Sequence, residues 1–221
     1  MLTLILTVLP SILILSYVIL SDRFREPTAS IITVFFLGYL ITLPAGFLNN
    51  LIIFQNEELN LIFLAGLTEE SLKLLALFLF IKEKKHFNEP MDGIVYGVLI
   101  SLGFATYENY GYVYYLSYEY GMSPFELATV RSISAIPMHG FCGIIMGYYF
   151  GQYIFKGDTS NLAKCWIIPM FIHGMYNFLA GIDFPSAILF LVIAGVYSYL
   201  LLHEVIRRQT LKEIEDEKKI I

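Results

Sequence analysis

Apolar stretches of about 20 residues recur along the whole sequence, and this repetition restricts the fold more than any other feature. A helix needs roughly 20 apolar residues to cross the ~30 Å hydrocarbon core of a bilayer. Only 15% of the residues are charged, whereas soluble domains carry about 25%, so much of the surface must face lipid. We expect an all-α, polytopic transmembrane bundle of about seven helices, at residues 2–20, 28–54, 61–81, 93–116, 128–155, 163–181 and 185–206.

Short connections between these stretches predict one transmembrane domain over residues 1–206, followed by a charged, solvated helical tail at 207–221. The second and fifth spans are long, and we expect them to break near Pro44 and Pro137, because proline removes a helical hydrogen bond and clashes with the preceding turn. Two cysteines are too few for a disulfide framework. Basic residues occur only in short clusters, a distribution that does not indicate nucleic-acid binding.

The uneven distribution of basic residues gives an orientation. Of the 14 Lys and Arg residues, 12 fall in alternate connections or at their edges, and the connections 55–60, 117–127 and 182–184 hold none. Because cytoplasmic loops are enriched in Lys and Arg, we predict an outside N-terminus and a cytoplasmic C-terminus. The other two basic residues, Lys73 and Arg131, lie inside spans, and we expect Arg131 to snorkel toward the outer surface.

The candidate functional groups are ionisable and amide side chains well inside the third to sixth predicted spans, because such side chains mark functional sites when they occur inside a membrane. The three charges of the third span cost about 8–10 kcal/mol on insertion scales. Its 13 Leu, Ile and Phe residues return only about 4–8 kcal/mol, so this span needs partners in a bundle. The candidates are Glu69, Glu70 and Lys73 in span three, Glu108 and Asn109 in span four, His139 in span five, and His173 and Asn177 in span six.

With the predicted orientation, the ionisable candidates lie at one depth, roughly 12–17 Å below the outer surface at 1.5 Å per helical residue. Small residues that share one helix face allow close helix packing in lipid. Such faces accompany two of the candidates and point them toward the bundle interior. They comprise Gly143, Gly147 and Gly151 with His139, and Gly93, Gly97, Ser101 and Ala105 with Asn109.

Carboxylates and imidazoles at one depth are an inventory for hydrolysis. A carboxylate can deprotonate water, and an imidazole or amide can stabilise a developing oxyanion. The same groups suffice to bind a divalent metal, although the sequence contains no HExxH motif. The alternative is a proton- or ion-coupled transporter, since intramembrane carboxylates also build ion pathways. A transporter needs polar groups toward both faces, whereas these concentrate at one level.

Five motifs resemble, in order and spacing, those of the PrsW family of intramembrane proteases, which is distantly related to the CAAX-processing and bacteriocin-processing proteases. The resemblance covers residues 22–180, and Glu108 stands where the CAAX enzymes typically have histidine. Asn177 stands where some PrsW sequences have Asp. The motifs are EExxK at Glu69–Lys73, MDGIVYG at Met91–Gly97, GFATYEN at Gly103–Asn109, and the HG pairs at His139 and His173.

The resemblance implies a multi-pass protease of the bacterial cell membrane. Its substrate would be a single-pass, membrane-anchored anti-sigma factor, which it would cut first and on the extracytoplasmic side. Together with the inventory above, this predicts that Glu69 or Glu70 activates water as general base. His173 and His139 would orient the water or stabilise the oxyanion, and Glu108 would act as a second acid/base or as a metal ligand. Lys73 would tune the carboxylate pair, and Asn109 and Asn177 would orient neighbouring groups. No cofactor is required, and a divalent metal such as zinc is compatible with the set.

Overall fold

The computed structural model describes residues 1–54 and 62–220, and every regular element in these two ranges is a helix. Seven helical segments match the seven predicted spans, the fifth being divided in two, so the all-α prediction is confirmed. The start of the third predicted span, at residue 61, lies outside the described residues. The helices are α1 (Leu2–Ser21), α2 (Thr28–Asn49), α3 (Leu64–Ala76), α4 (Pro90–Gly111), α5 (Pro124–Ile133), α6 (Ala135–Lys156), α7 (Ser160–Ile182) and α8 (Phe184–Ile220).

Five helical stretches among the described residues are long and apolar enough to cross a membrane: Leu2–Ser21, Thr28–Ile52, Pro124–Lys156, Ser160–Ile182 and Phe184–Ile214. Large apolar side chains are exposed along them, as expected for surfaces that face lipid. The other two segments, α3 and α4, carry the acidic candidates and pack among the rest. This arrangement is that of a multi-pass membrane protein.

Helix α4 lies at the centre of the bundle, where it contacts α1, α2, α3, α6 and α8. Every residue from Met91 to Ala105 is buried. The approach to α6 is close because glycines face each other: a Cβ on Gly147 would lie 2.1 Å from the carbonyl oxygen of Gly93, and one on Gly97 would lie 2.5 Å from that of Gly143. The predicted small-residue faces are therefore confirmed. Their close packing brings α4, which carries Glu108, against α6, which carries His139.

Gly147→Ala is expected to destabilise the protein by about 1–3 kcal/mol, the usual cost of overpacking a filled interior. The new methyl group would meet backbone atoms of α4, which cannot move aside as a flexible side chain would. The thermal unfolding midpoint in detergent measures the effect. The control is Gly111→Ala on α4, where an added Cβ meets nothing within 4 Å; equal midpoints for the two variants would contradict the close-packed seam.

The helix breaks differ from those expected. Helix α2 continues through Pro44 and ends at Asn49, followed by a single wide π-helical turn, Asn50–Phe54, so the prediction of a break at Pro44 is wrong. The fifth span breaks at Ser134, which has φ −127° and ψ −75°. Its cause is Pro137, because the proline ring clashes with the carbonyl four residues earlier, at Ile133. The break allows α5 to diverge from α6.

Helix α8 packs against two connections at the end of the bundle where the basic clusters lie. The charge bias predicts that this end faces the cytoplasm. Gln209 is buried, and its Nε2 donates to Asp22 Oδ1 at 2.9 Å and to Glu89 Oε1 at 2.8 Å. Asp92 accepts the backbone N–H of Glu89 at 2.8 Å, which completes a capping box at the start of α4. The segment after residue 206 therefore continues α8 and packs on the bundle over its first turn.

Candidate active site

Four helices bring their ionisable side chains together inside the bundle. Helix α3 contributes two glutamates and a lysine, and α4, α6 and α7 contribute one group each. All are buried except Glu108, whose side chain is 15% exposed. Successive contacts join these six side chains, together with Arg131 of α5 and Asn49 of α2, into one chain of polar groups. Its order is Arg131, Glu108, His139, Lys73, Glu70, His173, Glu69 and Asn49.

Lys73 lies in the middle of this chain and pairs with Glu70 rather than Glu69. Its Nζ donates to Glu70 Oε1 at 2.6 Å and to His139 Nδ1 at 2.9 Å. The ammonium also lies 4.4 Å from the centroid of the Phe104 ring. Because an ammonium has donors only, Nδ1 of His139 must accept, and Nε2 of His139 carries the proton.

His173 is oriented by Glu70. Its Nδ1 lies 2.8 Å from Glu70 Oε1, a carboxylate oxygen that can only accept. We therefore assign the proton to Nδ1, which leaves Nε2 of His173 with a free lone pair. That Nε2 lies 3.7 Å from Glu69 Oε2, which is too far for a hydrogen bond and leaves both atoms available to a third group.

The two adjacent glutamates have different environments. Oε1 of Glu70 is taken by Lys73 and His173, and its side chain is fully buried. Oε1 of Glu69 accepts a hydrogen bond from Asn49 Nδ2 at 2.9 Å, while its Oε2 is buried with no partner among the described residues. An unpaired buried carboxylate oxygen costs stability unless something else binds it. Oε2 of Glu70 is likewise buried without a hydrogen-bond partner among the described residues. Of the two glutamates, however, only Glu69 lines the cavity, so Glu69 is the carboxylate placed to react.

Glu108 lies on the other side of the imidazoles and makes two contacts through one oxygen. Its Oε2 lies 3.0 Å from His139 Nε2 and 2.8 Å from Arg131 Nη2. Arg131 also donates from Nε to Asn109 Oδ1 at 2.7 Å and stacks on Tyr112. The expectation that Arg131 snorkels is therefore wrong: the guanidinium turns inward because a carboxylate and an amide there satisfy it.

Asn109 connects α4 to α1 and α5 through hydrogen bonds and does not line the cavity. Its Nδ2 donates to the carbonyl oxygen of Thr7 on α1 at 2.8 Å, and its Oδ1 accepts from Arg131. Asn177 lines the same cavity as His173, one turn along α7. Asn109 thus contacts Arg131 and α1 rather than the cavity, whereas Asn177 faces the cavity.

A cavity of about 380 Å³ opens onto these groups, at the end of the bundle where α2, α4 and α7 finish. Glu69, Glu108, His139 and His173 line it, whereas Glu70 and Lys73 lie behind them. The remaining walls are mostly apolar or aromatic. They comprise Thr42, Gly46, Asn49, Ile62, Ala65, Phe104, Tyr112, Leu116, Tyr120, Leu127, Arg131, Ala135, Met138, Tyr176, Asn177, Ala180 and Gly181.

Three of the lining groups also fit a divalent metal ion. Glu69, His139 and His173 each offer a ligand atom, and these atoms lie within 4.8 Å of one another; two histidines and one glutamate form a known catalytic zinc set. The 3.7 Å between Glu69 Oε2 and His173 Nε2 is near the ~3.4 Å that separates two ligands of tetrahedral zinc. His139 would join them by exchanging Lys73 or Glu108 for the ion.

A free carboxylate oxygen and a free imidazole nitrogen that face a membrane-embedded cavity are suited to activating water. Donors and a cation on the facing wall are suited to stabilising negative charge. Fold and site together are those of a membrane-embedded hydrolase.

The chain belongs to the PrsW family. The profile of the PrsW family intramembrane metalloproteases matches residues 26–202. Protease PrsW of Clostridioides difficile (strain 630) is 32% identical over 200 residues, covering 85% of this chain and 83% of that protein. Protease PrsW of Bacillus subtilis (strain 168) is 35% identical over 178 residues, covering 77% and 78% respectively. No solved structure matches the chain. The protein is thus a multi-pass membrane peptidase, and the transporter alternative is set aside.

Two residues of the site were missed by sequence reasoning. Asn49 lay within the second predicted span, and its position inside an apolar stretch near the same depth was the signal that could have identified it. Arg131 was noticed but given a surface role, although an arginine inside a span pairs with a carboxylate more often than it stays alone. Its contact with Glu108 depends on the break at Ser134 that Pro137 causes, and a proline predicts a break without predicting the direction in which the preceding helix diverges.

Proposed function

We propose that this protease makes the first cut in a single-pass, membrane-anchored anti-sigma factor, on the extracytoplasmic side. The proposal combines the family membership with the position of the cavity. The cavity lies at the end of the bundle whose connections hold no Lys or Arg, and such connections are the extracytoplasmic ones. The observation that carries the chemistry is the unpartnered Oε2 of Glu69 beside Nε2 of His173.

The reacting water would lie between these two acceptors. Glu69 Oε2 takes one proton and His173 Nε2 holds the other hydrogen, so that the lone pair of the water oxygen attacks the scissile carbonyl carbon. The C–O bond forms as the carbonyl becomes an oxyanion, which faces the wall carrying His139 and Arg131. Glu69 then returns its proton to the amide nitrogen, the C–N bond breaks, and a carboxylic acid and an amine are released.

Glu70 and Lys73 support this step from behind the cavity wall, and Glu108 supports it from the wall itself. Glu70 holds the Nδ1 proton of His173, and Lys73 holds His139 in the tautomer that has its proton on Nε2. Glu108 accepts that Nε2–H in the resting site, and it is the second acid or base close to the reaction.

A divalent ion held by Glu69, His139 and His173 supplies Lewis-acid polarisation of the carbonyl and a more acidic water when it is bound. Elemental analysis of the purified protease, with His173→Ala as the comparison, decides whether this set holds an ion. One equivalent of metal that disappears in His173→Ala identifies a metal site. No metal in active protease leaves Glu69 as the sole activator of water.

The substrate proposal is tested by co-expression with doubly tagged, single-pass anti-sigma factors. The expected result is a cut in or near the outer half of the substrate's membrane segment, mapped by mass spectrometry of the two fragments, and no cut with His173→Ala. A cut in the cytoplasmic half, or intact anti-sigma factors beside another protein that is cleaved, overturns the proposed substrate and side.

A further inference from the structure

Asn49 connects the last turn of α2 to the free glutamate of α3. Its side chain is buried, and its Nδ2 donates to Glu69 Oε1 at 2.9 Å. Its Oδ1 accepts the hydroxyl hydrogen of Thr68, the residue before Glu69. The amide therefore lies between two groups of α3, and it belongs to none of the five motifs described above.

Both neighbours determine which way the amide faces. An ionised carboxylate can only accept hydrogen bonds, whereas a hydroxyl can donate one. The NH₂ group of Asn49 must therefore face Glu69, and its oxygen must face Thr68. A flipped amide would place its oxygen against the acceptor oxygen of Glu69, so Glu69 fixes the orientation in which Asn49 donates. The Thr68 hydroxyl, which also lies 3.0 Å from the carbonyl oxygen of Ala65, supports this orientation by donating to Oδ1.

This contact makes the two oxygens of Glu69 inequivalent. Oε1 is held by Asn49, while Oε2 remains without a partner among the described residues and lies 3.7 Å from His173 Nε2. The terminal torsion of a glutamate is soft and has no sharp preferred angle. Without the bond at Oε1, nothing described in the site would keep Oε2 directed at His173.

We propose that Asn49 is a positioning residue for the hydrolysis: it fixes the carboxylate plane of Glu69 so that Oε2 faces the reacting water. The inference rests on the proposed role of Glu69. Asn49 differs from a simple helix-to-helix contact because its effect passes through Glu69. Loss of the Asn49 side chain must therefore lower kcat, whereas loss of a simple helix-to-helix contact would lower only the stability of the protein.

The variants Asn49→Ala and Asn49→Asp test this in purified protease reconstituted into liposomes with a cleavable reporter peptide. We expect kcat to fall about 10- to 100-fold, the effect of losing a hydrogen bond to a charged group, while KM stays within about twofold. Asn49→Asp is nearly isosteric but presents an acceptor to Glu69, so its kcat should be the lower. Asn50→Ala is the matched control, since Asn50 is the next residue and is exposed.

Thr68→Val supplies a second variant that keeps Asn49. It removes the hydroxyl that orients the amide, and we expect a severalfold loss of kcat in the wild-type background. In an Asn49→Ala background the same change should have no further effect on kcat, because the coupling of two residues in one contact is non-additive. Additive losses would overturn the inference.

The remaining outcomes separate this inference from the proposed function. If Glu69→Gln stays active, the proposed function itself fails. If Glu69→Gln is inactive and Asn49→Ala keeps the wild-type kcat, only the role of Asn49 fails. A lowered thermal midpoint with unchanged kcat would make Asn49 a structural contact, and a raised KM with unchanged kcat would make it a substrate contact; either result overturns the inference.

Discussion

Glu69→Gln is expected to leave the protease folded and inserted in the membrane but to lower its cleavage rate by about 10²–10⁴-fold, the usual contribution of a general base. The glutamine oxygen can still accept the hydrogen bond from Asn49, so the side chain keeps its anchor. What disappears is the ionisable oxygen beside His173 Nε2. Cleavage of a co-expressed tagged substrate, followed by immunoblot, measures the loss.

Glu119→Gln is the matched control, because Glu119 is an exposed carboxylate near the same end of the bundle. It should cleave at the wild-type rate. His173→Ala should be as inactive as Glu69→Gln, since both remove one side of the same water position. Full activity in Glu69→Gln would show that Glu69 does not activate water.

Lys73→Met is expected to lose stability as well as activity. Lys73 and Glu70 are both 0% exposed and lie 2.6 Å apart, and removing one partner of a buried ion pair costs about 3–5 kcal/mol. The methionine fills a similar volume but leaves the Glu70 carboxylate with only His173. It also releases Nδ1 of His139. The amount of folded protein in detergent and its unfolding midpoint measure the cost.

Two comparisons sharpen this result. Lys82→Met changes an exposed lysine that lies 4.0 Å from Glu83, and a surface pair of this kind contributes only about 0–1 kcal/mol. The double variant Lys73→Met with Glu70→Gln removes both charges, so its stability should recover toward wild type while cleavage stays absent. A single variant as stable as wild type would contradict the buried ion pair.

Sequence reasoning predicted which polar side chains the structure brings together because polar residues are rare in apolar membrane spans. Glu108, His139 and His173 stand out in apolar stretches, and helical geometry converts their positions into depth at 1.5 Å per residue. The glycine faces predicted which sides of α4 and α6 meet. These inferences depend on local periodicity and on the cost of burying charge, both of which are written in the sequence.

The different surroundings of Glu69 and Glu70 could not be predicted in this way. Adjacent helical residues point about 100° apart, so one glutamate must face the cavity and the other the packed interior. Which glutamate faces the cavity depends on the rotation of α3 about its axis relative to α7, where Gly66 packs on the backbone of Gly174. Rotation of this kind is a property of the assembled helices.

The separation of partners along the chain has a consequence for biosynthesis. His173 follows Glu70 by 103 positions, a length that a ribosome translates in about 5–20 s at 5–20 residues per second. Throughout that interval α3 has reached the membrane without the imidazole that completes its site. With His173 in the role proposed for it, the newly made chain gains peptidase activity only after α7 has entered the bilayer.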